Sequence, residues 1–381
     1  MTSRAAAQQR LLDFQERVAS YPDQRNFDRP GHEEVSRLSQ WIRYRVVTEE
    51  ECVATTLQYH PFEVAEKFVQ EVVWRTYWKG WLELRPQVWR SYRESLADLR
   101  EQHAAHKNYS QAIEGRTGLP FFDDWVRELR SSGYLHNHTR MWFASVWIFT
   151  LQLPWQLGAD FMHHHLLDGD PASNTLSWRW VGGLHTPGKI YVARPDNIAR
   201  YSDGRWCPTA SDLNLNPRPL VMDDIGATVP LELLSKERPR SGDCVLLHDD
   251  DMSADLSEEL AGKGAWFLQW VTEGSDRSEM VREHTIRIRQ DVRDRTTALA
   301  VKNVGELLQE MRLRSTNTLH MIQPLCGEVR DEVMGLKDTL AKEGVRVLFH
   351  RRAWDELYFP FAKTGFFPFW TSVKRRLHRE G

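Results

Sequence analysis

Cysteine is scarce in this 381-residue chain, with only Cys52, Cys207, Cys244 and Cys326 present. Their spacing forms no pair. That excludes a disulfide framework, offers no set of zinc ligands, and points to a reducing, cytoplasmic setting. Long hydrophobic runs are missing too. The longest, "MWFASVWIFTLQLPWQL", contains Gln152 and Pro154 and falls short of a membrane span, so it reads as a buried helix in a soluble protein. The opening "MTSRAAAQQRLLDF" has no apolar segment of signal-peptide type. An excess of charge is absent as well: the net charge is −3, so any nucleic-acid site must be a local patch. There is no internal repeat and no low-complexity tract. Tryptophan is what abounds, with sixteen residues, most of them between Trp74 and Trp180.

The length suits two or three domains. Residues 1–205 carry apolar residues at helical spacing in "EEVSRLSQWIRYRVV", "PFEVAEKFVQEVVWRTYWKGWLELR", "PFFDDWVRELRSSG" and "LHNHTRMWFASVWIFTLQL". Residues 206–240 are rich in turn formers and read as a linker. In residues 241–381 the short apolar runs "DCVLLHDD", "GAWFLQWV", "NTLHMIQPL" and "VRVLFH" alternate with the amphipathic "VKNVGELLQEMR" and "EVRDEVMGLKDTLAKEG". Strand alternating with helix implies a parallel sheet covered by helices. The expected fold is therefore an all-α domain followed by a smaller α/β domain.

Three stretches of the helical part are chemically unusual. In "HLLDGDPASNTLSWRW", Asp168, Asp170 and Asn174 could form an ordinary turn, but two tryptophans follow at once. In "GYLHNHTRMW", Asn137, Arg140 and Met141 share a helix face, and Asp168 is a natural partner for a buried Arg140. Glu71, Trp74, Arg75 and Trp78 share another face in "EVVWRTYW". Taken singly, each reads as packing plus a surface ion pair. A plain core would carry no polar atoms to satisfy, so together they point to an aromatic-walled polar pocket. The run His163, His164, His165 is a poor metal site, because successive helical side chains point about 100° apart, and no metal is expected. "HDDD" at 248–251 reads as a solvated loop after a strand.

Five blocks in order, "YPDQRNF", "VSRLSQW", "EVVWRTYW", "GRTGLPFFDDWVRELRSSGYLHNHTRM" and "LLDGDPASNTLSWRW", resemble the FAD-binding domain of the photolyase/cryptochrome family over about residues 20–200. They are most similar to the enzymes for cyclobutane pyrimidine dimers. The resemblance implies FAD held by Tyr21, Ser36, Arg37, Leu38, Ser39, Asn137, Arg140, Asp168, Asp170 and Asn174, with the phosphates at a helix start as anions prefer. Val35 stands where the family has threonine. It implies Trp178 and then Trp155 as electron relays to the flavin, the third relay being unassigned. Damaged DNA would meet Arg25, Trp74, Arg75 and Trp180, with Arg75 and Lys79 adding to a basic patch. Glu71, Asn137 and Met141 would set the chemistry on the dimer, since relatives acting on the (6-4) lesion carry histidines in place of Asn137 and Met141.

Two departures stand out: His138 replaces an arginine and Tyr134 a tryptophan. The family's α/β antenna domain normally precedes the FAD domain, whereas here the α/β pattern follows it. The closing "KTGFFPFWTSVKRRL" resembles the end of that antenna domain, which suggests a swapped order. An unrelated appended domain is the alternative, and no second chromophore is assigned. The expected activity is light-driven repair of pyrimidine dimers by a monomer, the competing reading a cryptochrome-like photoreceptor of the same fold.

Overall fold

A computed structural model describes residues 2–262, 264–271 and 276–380. Helices come first: α1 (Arg4–Phe14), α2 (Tyr21–Gln24), α3 (Ser39–Ile42), α4 (Glu49–Tyr59), α5 (Phe62–Glu83), α6 (Pro86–His103), α7 (Lys107–Glu114), α8 (Pro120–Ser132), α9 (Asn137–Ser145), α10 (Trp155–His165), α11 (Pro171–Val181) and α12 (Pro195–Tyr201). Local chemistry sets their ends. Thr48 and Glu51 form a reciprocal capping box at the start of α4. Asp170 accepts from Ser173 N at 2.6 Å, with Pro171 at the first position of α11. The 22-residue α5 is the central spoke, burying Phe68, Val69, Val72, Val73 and Tyr77.

One expected helix is largely absent. The "EEVSRLSQWIRYRVV" stretch holds only the single turn of α3, between Arg37 at φ 54° and Arg45 at φ 49°. Two left-handed residues interrupt the ladder that the apolar spacing suggested.

The second part contains β1 (Cys244–Leu247), β2 (Trp266–Trp270), α13 (Glu279–Thr296), β3 (Leu299–Val301), α14 (Val304–Leu313), β4 (Thr318–Ile322), α15 (Glu328–Lys342) and β5 (Arg346–His350). The sheet is parallel throughout, in the order β3-β2-β1-β4-β5. That is a doubly wound order whose direction reverses between β1 and β4. Neither α13 nor the short β3 was expected. Arginine and acid crowd α13 and mask its apolar face of Val281, Ile288 and Val292.

The pleat sends alternate residues of β1 to two cores. Cys244 and Leu246 pack with Leu268, Leu307, Leu319 and Val333, while Val245 and Leu247 join the core of the helical part. Helices α16 (Ala353–Tyr358) and α17 (Phe366–Glu380) return to α5. There Trp354 Nε1 donates to Thr76 Oγ1 at 3.0 Å, and Phe369 and Trp370 are buried in the helical core. The sequence grouped these helices with the α/β unit, but their packing is with the helical part. All four cysteines are free, and among the described residues no helix is long and apolar enough to cross a membrane.

The "HDDD" segment is not a solvated loop. His248, Asp250 and Asp251 are buried at the carboxyl ends of β1 and β4, where His248 Nε2 meets Ile322 O at 2.7 Å. Each acid faces an arginine. Asp249 pairs with Arg289 at 2.6 Å, Asp250 with Arg43 at 2.8 Å, and Asp251 with Arg352 at 2.6 Å. Arg45, 1% exposed, binds both oxygens of Asp355 and lies 3.5 Å from Asp251. Burial alone would cost each charge several kcal/mol, and opposite charge at hydrogen-bond distance compensates. Replacing Arg45 with methionine strands Asp251 and Asp355 without a full set of partners. An Arg45→Met variant should lose about 3–5 kcal/mol of unfolding free energy in urea titration, the usual result of breaking a buried pair.

Candidate functional site

One cavity of about 420 Å³ opens in the helical part, within the roughly 300–1,000 Å³ typical of small-molecule sites. Five pieces of chain converge on it. The short α2 brings Tyr21 at its start and Arg25 just past its end, and the loop into α3 brings Ser36, Arg37, Leu38 and Ser39. One face of α5 supplies Glu71, Trp74 and Arg75, and α9 supplies Asn137, Arg140 and Met141. The loop before α11 and α11 itself add Asp168, Asp170, Asn174, Trp178 and Trp180. Of the residues singled out from the sequence for FAD, relay or DNA, Trp155 and Lys79 lie off the wall. Trp155 is buried against Tyr92, with ring centroids 5.5 Å apart.

Charge is sorted along the wall. Arg140 Nη2 donates to Asp168 Oδ2 at 3.0 Å, the pair expected from the sequence. Burial would raise the Asp168 carboxyl, but Arg140, Arg75 and a hydrogen bond from Ser39 outweigh it and hold it below the usual carboxylate range. Asp170 is likewise buried, and Arg75, Lys79 and Arg43 bring it down to about 2. Both acids are therefore anions at neutral pH. Arg75 faces Asp170 at 3.7 Å, deep on the acid side of the cavity, and Lys79 is buried against Glu49 at 2.7 Å. Lys79 thus contributes nothing to a surface patch. Asn174 is fixed by donating Nδ2 to Ala159 O at 2.8 Å.

At the other end, Arg25 pairs with Glu71 at 3.1 Å, and Lys67 reaches the same carboxylate at 3.0 Å. Trp74 is backed by Phe366 of α17, stacked at 3.5 Å and 7° between planes, and Trp180 by Tyr191 at 5.7 Å and 28°. The sequence reading did not foresee that the C-terminal helix buttresses this wall. His138 is buried below the rim, where Nδ1 meets Asn26 O at 3.0 Å and Nε2 meets the Tyr191 hydroxyl at 3.3 Å. It supports two residues of the rim region from beneath. Tyr134 lines the cavity with the guanidinium groups of Arg37 and Arg140 5.1 and 5.4 Å from its ring. Further lining residues missed by the sequence reading are Met162, Leu166, Ser173 and Ser177. Their types are too common to signal a site.

Asp168 Oδ1, Ser173 Oγ, Arg37 Nε and Arg75 Nη1 are buried on this cavity without hydrogen-bond partners. Buried polar atoms are rarely left so. Cations beside carboxylates, hydroxyls and apolar Met162 and Leu166 suit a ligand with phosphates, hydroxyls and a flat ring system. The class indicated is a small-molecule binding site built for a partly polar ligand.

Residues 68–208 match the model of the FAD-binding domain of DNA photolyase. That stretch of the helical region is similar to the FAD-binding domain of the photolyase/cryptochrome family, and FAD is the cofactor the match supports. The chain is 31% identical over 190 residues to a deoxyribodipyrimidine photo-lyase of Vibrio cholerae, covering 48% of this chain and 39% of that protein. It is 33% identical over 200 residues to a protein of the same name from Thermus thermophilus, covering 50% and 46%. The chain thus spans less than half the length of these curated relatives. Solved structures similar to it include a class III photolyase from Agrobacterium tumefaciens, 23% identical with TM-score 0.45, covering 53% of this chain and 43% of that one. Another is a Synechocystis cryptochrome, 20% identical with TM-score 0.42, covering 52% and 43%.

Outside the cavity, Asp28, His32 and Glu128 bring ligand-type atoms within 4.8 Å of one another. The His32 ring nitrogens face Asp28 at 3.1 Å and Glu128 at 2.8 Å, and Arg205 lies 3.4 Å from Asp28. This is the setting of an imidazolium. Burial would lower its pKa, but the two carboxylates prevail and raise it from 6.5 to about 9. The three consecutive histidines diverge, His163 to Arg277, His164 to Asp276 and His165 to Phe161. A group with a raised folded pKa stabilises fully below its free value and loses that contribution as pH rises through the folded value. The His32 contribution should therefore be complete below pH 6.5 and gone above about 9. In thermal melts, His32→Gln should cost most at the acidic end and little above that window.

Proposed function

We propose that the chain repairs cyclobutane pyrimidine dimers in DNA with blue light. The observation that carries this reading is the shared cavity. The residues that suit FAD line the same cavity as Glu71, Trp74, Asn137, Met141 and Trp180. A photoreceptor needs the first set but has no use for a second aromatic-walled compartment. Reduced FAD, when bound, supplies the light-driven electron that opens the cyclobutane ring and is restored when that electron returns.

The chain's own groups do the rest. Trp74 and Trp180 flank a flipped-out dimer, each held rigid by the ring behind it. Flipping costs a few kcal/mol and is easiest for a damaged, weakly stacked pair. Arg25 at the rim meets a phosphate next to the lesion. Glu71 exchanges its Arg25 and Lys67 partners for the pyrimidine edge and steadies that base while it carries extra electron density. Asn137 and Met141 of α9 complete the compartment.

A photoreceptor without repair is the second reading. The burial of Lys79 and His138 favours it, because two basic groups are withdrawn from the DNA-facing surface. A blue-light assay on dimer-containing DNA with the reduced, FAD-loaded chain separates the two readings. Glu71→Ala should lower splitting about ten- to a hundredfold with FAD content unchanged, since a hydrogen bond to a charged group contributes roughly 1.5–3 kcal/mol. Unchanged splitting would remove Glu71 from the chemistry, and its absence in the parent chain would leave the photoreceptor. Affinity for the damaged strand should also fall as salt rises, since Arg25 displaces counterions from phosphate.

A further inference from the structure

The closing segment "KTGFFPFWTSVKRRL" forms most of α17, and the two sides of that helix differ. The inner side is apolar: Phe366, Phe369, Trp370 and Val373 are buried, and Phe366 stacks behind Trp74. The outer side presents Phe367, Thr371 and Arg375, four residues apart and so on one stripe. Phe367 is 72% exposed. A single exposed apolar side chain is ordinary on a protein surface. This one is set apart by what surrounds it.

Its ring centroid lies 5.9 Å from that of Phe366, whose ring lies 3.5 Å from Trp74. Phe367 thus stands two rings from the cavity wall. The helix also packs along α5, where Lys374 pairs with Glu66 at 2.6 Å and the next residue, Lys67, pairs with Glu71 on the wall at 3.0 Å. Its outer side therefore borders the same rim. Charge there has one sign: Lys374, Arg375 and Arg376 belong to α17, which has no acid before Glu380. Arg376 lies 4.4 Å from the Phe361 ring, but Arg375 is exposed and has no ion-pair partner among the described residues. Lys363, exposed just ahead of the helix, has none either. The exposed Trp266 lacks this setting, since the Arg314 guanidinium lies 5.1 Å from its ring and is paired with Glu310. An aromatic ring in a row with unpaired cations and no acid suits a nucleic-acid strand, whose bases stack and whose phosphates are anions.

We propose that the outer face of α17 carries the DNA strand beside the lesion, with a nucleobase stacked on Phe367 and a phosphate on Arg375. The proposal deepens the repair reading and rests on the cavity as the place of a flipped dimer. A base next to a flipped dimer loses its stacking neighbour, and an exposed aromatic ring replaces that neighbour. Phe367 and Arg375 are eight helical residues apart, about 12 Å along the axis, so the strand leaves the rim along the helix. One helix then has two tasks. Phe366 fixes Trp74 on the inside, and Phe367 receives the neighbouring base on the outside.

The test uses the full chain loaded with reduced FAD, in the dark, and a single-stranded oligonucleotide with one central thymine dimer. A 2-aminopurine is placed at the first or second position on either side of the dimer, because stacking quenches its fluorescence. The parent should quench one of these positions on binding. Phe367→Leu, which keeps an apolar side chain but no ring, should abolish that quenching and weaken binding about tenfold. Phe367→Trp should keep both. Arg375→Gln should weaken binding and flatten its dependence on salt, the log–log slope falling by about 0.7. Leu313→Ser, at an equally exposed position ending α14, is the control and should change neither. Quenching that persists in Phe367→Leu overturns the proposal, as does a parent that quenches no position or a salt slope unmoved in Arg375→Gln. Illumination of the same complexes separates this outcome from the repair reading. Quenching without dimer splitting would refute repair and leave the strand contact standing. Dimer splitting without quenching that depends on Phe367 would do the reverse.

Discussion

The carboxyl edge of the sheet is joined to the helical part by buried ion pairs, and the shape of the cavity depends on that joint. From Asp251 the charges run through Arg45 to Glu49 at 3.9 Å and on to Lys79 at 2.7 Å, whose charge acts in turn on Asp170. A second line is shorter. Asp250 holds Arg43, whose Nε donates to Gly169 O at 2.8 Å, between the two acids that line the cavity. Arg277, just before α13, adds a bond to Leu166 O at 3.0 Å and fills the space that a side chain at Gly169 would need. So the loop carrying Asp168 and Asp170 is set from the α/β part as much as from its own helices. Buried pairs of this kind add little net stability over apolar packing, but losing one partner is costly. Their consequence here is geometric: they fix where the loop stands.

The same joint explains what the doubly wound sheet does not do. In such sheets ligands bind outside the carboxyl ends of the strands, where the strand order reverses. Here that crevice, between β1 and β4, is filled by the chain's own guanidinium groups on Asp250 and Asp251 and by the His248 contact to Ile322. The place where a second ligand would be sought is thus used to hold the helical part. A smaller cavity of about 140 Å³ lies nearby, but its polar groups answer one another, Glu83 with Arg330 and Gln323 with Glu232.

The wall of the cavity was largely legible in the sequence because its signals are local. Asp170 and Pro171 announce a helix start, and the faces of α5 and α9 follow from spacing alone. What was hidden depends on distant partners. The acids of "HDDD" look the same in a sequence whether water or arginine surrounds them, and Arg43 and Arg45 lie some two hundred residues away from them. The lost helix around Ser39 failed for another reason: apolar spacing says nothing about φ, and Arg37 and Arg45 take left-handed values that helical periodicity cannot reveal. Phe366 was visible as part of an aromatic run, yet its place behind Trp74 depends on a chain that returns after nearly three hundred residues.

That return has a mechanical meaning. On the proposed repair reading, a tryptophan that flanks a flipped base is useful only if its plane is fixed before the base arrives, since ordering a loose ring costs binding free energy. Trp74 lies on a helix face and is only partly buried, so its own helix cannot hold it. Phe366, stacked flat behind it, restricts that freedom, and Phe369 and Trp370 anchor α17 in the core. Trp180 gains the same restraint from Tyr191, whose hydroxyl meets His138. His138 thus serves as a brace beneath the rim. One wall is thus braced from within residues 68–208, by Tyr191, and the other from far beyond them, by Phe366, so the cavity depends on chain well outside the stretch that matches the FAD-binding model.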